Sequence, residues 1–186
     1  MAKNLSSQIA RRLATAAAVL ALTSSAWALP EAQFLPAYDQ FMQATQGHES
    51  AIDKSADAFA ALLKAEPGNP VLMAYTGAAT SLRATTTMLP WKKMGYAEDG
   101  LALLDKALAL LTPTHDAPLQ HAVPAALEVR FVAANTFLAV PGFMNRSARG
   151  TKLLNEVLAS PLFAQASPYF QKTVRQRAAQ LKALAS

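Results

Sequence analysis

The chain has 186 residues, 52% of them hydrophobic, so it is rich enough in apolar side chains to form a core and disorder is excluded. It has no cysteine, which rules out a disulfide framework, thiol catalysis, thiolate metal sites and a lipid-modified cysteine. The formal net charge is +5, but Lys3, Arg11 and Arg12 supply three of the 17 basic residues and no acid lies near them, leaving 14 − 12 = +2 for the rest.

Those three cations lead into an apolar run from Leu13 to Leu22 that ends at Ala26-Trp27-Ala28. A basic head, an apolar stretch of about 7–15 residues and small residues at the cleavage point are the requirements of a secretory signal, whereas a spanning helix needs about 20 apolar residues. Residues 1–28 are therefore expected to be a cleavable signal peptide, and residues 29–186 a soluble periplasmic domain.

From Leu29 onward the apolar period is helical, and proline and glycine divide it. Leu35, Tyr38, Met42 and Thr45 mark a first helix that Gly47 stops. A second carries Ile52, Ala56, Phe59, Leu62 and Leu63, with Ser50 predicted as its cap. Glu66-Pro67-Gly68-Asn69-Pro70 is a turn in which Asn69 caps the third helix and Pro70 takes its first position, where a missing N–H costs nothing. That helix holds Leu72, Tyr75, Ala79 and Leu82. It runs on through Thr85, Thr86 and Thr87 into Leu89-Pro90-Trp91, where a loop is predicted to follow, and Glu98 and Asp99 are predicted to open a fourth helix striped by Leu101, Leu104, Leu108 and Leu111. After a break from Pro113 to Pro118, the fifth helix carries Leu127, Phe131, Ala134 and Leu138, and Pro124 either begins or bends it. Pro141-Gly142 stops it. Leu153, Leu154, Val157 and Leu158 mark a sixth, and Ser167-Pro168 caps a seventh with Phe170, Val174, Ala178, Leu181 and Leu184. No segment alternates with period two.

The helices also repeat in pairs. Leu-Leu motifs end in Pro67, Pro113 and Pro161, and Leu89-Pro90-Trp91 before Gly100 parallels Val140-Pro141-Gly142 before Gly150, giving a period of about 45–50 residues. One amphipathic pair cannot bury its apolar face alone, so an all-α stack of about three antiparallel pairs, closed by a C-terminal capping helix, is predicted. Ala56, Phe59, Leu62 and Pro67, followed by Asn69-Pro70, Met73, Tyr75 and Gly77, are similar to the junction between two tetratricopeptide repeats; Gly100, Leu104 and Ala107 extend the likeness. The chain resembles a divergent member of that family, with Thr85–Tyr96 adding roughly eleven residues to the usual unit of about 34. The resemblance implies a short right-handed α-solenoid that binds proteins or peptides on its concave side, which is lined by the odd-numbered helices.

Candidates for chemistry are few. His115, Asp116 and His121 suggest zinc ligands, but a spacing of six puts the histidines on different helical faces and a third ligand is missing, so loop and helix-start roles are expected and no metal is predicted. His48 beside Gly47 reads as a turn residue. Glu98 and Asp99 point about 100° apart on a helix and serve its first turn rather than acid–base catalysis. No phosphate loop, nucleophile elbow or dinucleotide fingerprint occurs, so neither an enzyme nor a cofactor is predicted.

Binding is the better reading. Trp91, Lys92, Lys93 and Tyr96 combine two aromatics with two cations, a composition suited to an extended peptide or an anionic surface, although Trp91 can alternatively fold back as a lid. Arg83, Arg130 and Asn135 follow on odd-numbered helices. Charge adds direction: residues 29–128 hold six basic and eleven acidic side chains, whereas residues 129–186 hold eight basic ones against Glu156 alone. These can be solvated faces, but a basic end can also attract an anionic partner. The expected function is a non-enzymatic periplasmic module that binds a segment of an envelope protein. The alternative is a peripheral accessory factor of a membrane complex that rests its basic C-terminal half on anionic lipid headgroups. Nucleic acid is not an expected partner, since no aromatic-basic platform spans the sequence.

Overall fold

The computed structural model describes residues 31–120 and 122–185. The predicted signal peptide, residues 1–28, and His121 lie outside them. The described chain is all-α apart from one small hairpin, with seven helices: α1 (Glu31–Thr45), α2 (Glu49–Ala65), α3 (Pro70–Thr86), α4 (Pro90–Ala109), α5 (Ala125–Ala139), α6 (Ser147–Ala159) and α7 (Pro168–Ala185). Two short antiparallel strands, β1 (Pro118–Gln120) and β2 (Val123–Pro124), lie between α4 and α5.

Short connections join successive helices except between α4 and α5, and their sequences show why they stand where they do. The Asn69 side chain accepts from the Val71 and Leu72 backbone N–H groups at 3.0 and 3.2 Å, with Pro70 opening α3, as predicted. Ser167 Oγ likewise accepts from Phe170 N–H at 3.3 Å at the start of α7. The Ser50 reading is corrected: α2 begins one residue earlier, at Glu49, after His48, which gives no side-chain cap and instead places Nδ1 3.1 Å from the Gln43 carbonyl oxygen. The buried face of α1 is also shifted from the predicted stripe. Phe34, Ala37 and Ala44 are buried and Leu35 is exposed.

The larger correction concerns Thr85–Tyr96. As predicted, α3 runs into the threonine cluster, to Thr86, but the segment from Trp91 to Tyr96 is not a loop: α4 starts at Pro90 and continues without interruption past Glu98 and Asp99. Proline is harmless in a first helical turn, so Leu89-Pro90 is a start signal there rather than a break. The extra residues become about two further turns of α4.

Packing follows a ladder. The main contacts join α1 to α2 and α3, α2 to α3, α3 to α4 and α5, α4 to α5, α5 to α6, and α6 to α7. Neighbours in sequence touch, and so do the odd-numbered helices α1, α3 and α5, an arrangement compatible with a short solenoid. The innermost helix is α3. From Pro70 to Ala79 every residue is buried, as expected of a helix that is apolar or small-sided all round. Phe34, Phe59 and Tyr75 interlock there, with Phe59 and Tyr75 stacked at 5.0 Å between ring centroids and Phe34 edge-on to both. At the other end, α7 docks Phe170 against Phe131 of α5, 5.4 Å apart, and buries Val174.

Candidate functional site

The seven residues singled out as binding candidates separate into two groups. Arg83, Arg130 and Asn135 are engaged within the fold. Arg83, near the end of α3, reaches back to α2, donating to Asp53 Oδ1 at 2.8 Å and Asp57 Oδ1 at 2.6 Å, and its guanidinium lies 6.0 Å from the Tyr96 ring of α4. These hydrogen bonds raise its pKa against the lowering effect of partial burial, so it is a fixed cation tying three helices together. Arg130 donates to the Ala126 carbonyl at 2.9 Å and pairs with Glu156 of α6 at 3.7 Å. Asn135 donates to the Phe131 carbonyl of its own helix at 3.0 Å.

Trp91, Lys92 and Lys93 are different. All three project from the first turn of α4 and are exposed, with Trp91 68% accessible, so Trp91 does not fold back as a lid. Tyr96, one turn on, is half-buried against Arg83. Met88 (90% accessible), Leu89 and Met94, close to Trp91 in the chain, are exposed as well, so the α3–α4 corner carries four exposed apolar side chains beside two lysines. Neither lysine makes an ion pair among the described residues.

The basic C-terminal half is divided by the fold. Arg146 and Arg149 converge on Asp105 of α4, the first at 2.9 Å, and both lie over the Phe137 ring. Arg130 and Lys152 share Glu156. The four cations of α7, Lys172, Arg175, Arg177 and Lys182, have no carboxylate partner among the described residues. At 100° per residue, Lys172, Arg175 and Lys182 fall within about 80° of one another. All three are exposed, whereas Arg177 points elsewhere and is half-buried.

A buried polar pair escaped the sequence reading. Tyr75 of α3 donates its hydroxyl to Glu128 Oε1 of α5 at 2.8 Å; Glu128 is 4% accessible, and its Oε2 has no hydrogen-bond partner among the described residues. Burial pushes the Glu128 carboxyl up to about 8, opposed by the Tyr75 hydrogen bond. Burial raises Tyr75 well above its ordinary value and Tyr38 of α1 to about 12, with the Glu128 charge adding to both. The available signal was a single acid inside the apolar run Ala125-Ala126-Leu127-Glu128-Val129. The pair cross-links two odd-numbered helices in a region closed to solvent.

His115 Nδ1 accepts from the Thr112 backbone N–H at 3.0 Å, completing a capping box on the short turn Pro113–Asp116. Among the described residues no group of three or more His, Asp or Glu side chains could hold a metal ion, and no helix is long and apolar enough to cross a membrane. A shallow trough of about 520 Å³ runs along α6, lined by residues such as Thr151, Asn155 and Ala159 of that helix alone. Comparisons with protein families, with curated proteins and with solved structures return no match to this chain.

Proposed function

We propose that the chain is an exported, non-enzymatic interaction module of the cell envelope, tetratricopeptide-like in its helix stacking, that docks an acidic segment of another envelope protein along α7. The observation that carries this reading is the exposed row Lys172, Arg175 and Lys182, left without carboxylate partners while Arg130, Arg146, Arg149 and Lys152 are all paired. An exposed row of like charges destabilises its own helix slightly through repulsion, and an anionic partner relieves that repulsion. Export is supported by the signal-like pattern of residues 1–28, and the binding role by the ladder of odd-numbered helices, which offers a continuous face in solenoids of this kind.

Photo-crosslinking in the producing cell tests the reading. Probes replacing Lys172 or Lys182 are expected to give adducts with a periplasmic partner bearing an acidic segment. Yields should fall at high ionic strength and in a Lys172→Glu/Arg175→Glu variant carrying the probe at Lys182. Equal yields from control probes at Lys54 and Lys64 of α2, or adducts indifferent to salt, would reject the assignment of α7.

A further inference from the structure

We propose that the α3–α4 corner is a membrane-contact tip, which seats Met88, Leu89, Trp91 and Met94 at the interface of an anionic bilayer while Lys92 and Lys93 meet the lipid headgroups. Nothing in the fold accounts for this corner. Met88 and Trp91 are 90% and 68% accessible, and Leu89 and Met94 are each 38% accessible, so four large apolar side chains within seven residues of chain reach solvent. Trp91 and Met94 stand three residues apart in α4 and project from the same side. The lysines follow Trp91 directly, in the first turn of a helix whose positive end disfavours cations, and that turn has no acidic residue and no capping side chain.

The occupant follows from this chemistry. An exposed cluster of four apolar side chains is too small for a stable protein interface, which buries about 800 Å² on each partner around a packed centre. A bilayer interface asks for less. A tryptophan settles at headgroup depth, neighbouring aliphatic side chains enter the acyl boundary, and adjacent lysines are attracted to anionic lipid. Lys92 and Lys93, without ion-pair partners among the described residues, provide that attraction, whereas Arg83 nearby is already held by Asp53 and Asp57. The contact is independent of the α7 reading, because it uses different residues on a different helix.

The chain contains two tryptophans, and Trp27 falls in the expected signal peptide, so in the exported protein the emission of Trp91 reports this corner alone. The protein recovered from the producing cell is mixed with vesicles of phosphatidylglycerol and phosphatidylethanolamine, and separately with vesicles of phosphatidylcholine. With the anionic vesicles, co-sedimentation and a blue shift of Trp91 emission are expected, both reversed by salt; with phosphatidylcholine, neither. Removing the two lysines as Lys92→Gln/Lys93→Gln should weaken partitioning roughly 25-fold, about fivefold for each charge. Trp91→Ala should weaken it as well, and circular dichroism checks that helicity is kept, as exposed positions require. Lys172→Glu/Arg175→Glu should weaken vesicle binding less than the corner substitutions do and leave the blue shift of Trp91 in the bound protein intact. The proposal is overturned by an unshifted Trp91 emission, by vesicle binding that survives the corner substitutions, or by binding lost on the α7 substitutions alone. It is also overturned if a photo-probe at position 91 captures a protein while vesicles fail to bind.

Discussion

Glu128 illustrates how one carboxyl can govern a stability profile. It accepts from the Tyr75 hydroxyl of α3, with Tyr38 from α1 close enough to feel its charge, and no cation among the described residues is paired with it. Its folded pKa of about 8 lies above the ordinary carboxyl value, so between those two values the folded protein holds a proton that the unfolded chain has lost. The contribution is therefore fully favourable below the ordinary carboxyl range and is lost as pH rises through 8. The difference between pH 5 and pH 8 is on the order of 3 kcal/mol. Glu128→Gln keeps an acceptor for Tyr75 but cannot ionise. In urea titrations at a series of pH values, the variant should gain on the wild type steadily from pH 5 to pH 8; two parallel profiles would refute the assignment. The sequence disclosed this residue poorly, because a glutamate in the first turn of a predicted helix has an ordinary role with the helix dipole. Only the approach of α3 and α1 reveals that this first turn is enclosed.

At the scale of elements, the α3–α4 hairpin depends on backbone contact. A Cβ on Gly100 would collide with the Gly77 carbonyl oxygen and the Ser81 hydroxyl and come within 2.8 Å of the Ser81 backbone nitrogen. Alanine is normally the better helix residue by up to about 1 kcal/mol, but here the obstruction is partly backbone and cannot swing aside. Gly100→Ala is expected to destabilise the protein by about 1–3 kcal/mol in chemical denaturation. Gly95, five residues earlier in the same helix, has nothing within 4 Å of its would-be Cβ. Gly95→Ala should stabilise by about 0.5–1 kcal/mol, and if both substitutions shift the midpoint in the same direction the close-crossing account fails. Gly150 repeats the device in the next hairpin, where a Cβ would come within 3.0 Å of the Ala134 carbonyl oxygen. The parallel between Gly100 and Gly150 was legible in the sequence. The continuous α4 was not, since Leu89-Pro90 and Gly95 carry local signals that suit a loop as well as a helix start.

Across the whole molecule, protection from hydrogen exchange should follow burial along the ladder. The amides of α3, enclosed on every side from Pro70 to Ala79, are expected to exchange last. Those in the second half of α7, where Leu184 is 82% accessible and the deeply buried anchors are Phe170 and Val174 near its start, should exchange first. Equal protection of α7 and α3 would contradict the packing described here. The same gradient suits the proposed role of α7, because a terminal helix with few anchors can adjust to an acidic partner.

The sequence by itself determined the all-α class, the number of helices, the Asn69-Pro70 junction and the uneven charge, because helical periodicity and turn chemistry are local properties of the chain. Tertiary structure decided which charges are neutralised and which remain available. Arg83, Arg130, Arg146 and Arg149 meet carboxylates 26 to 44 residues away, while α7 and the start of α4 meet none among the described residues. An ion pair depends on distance in space, which no spacing along one helix specifies.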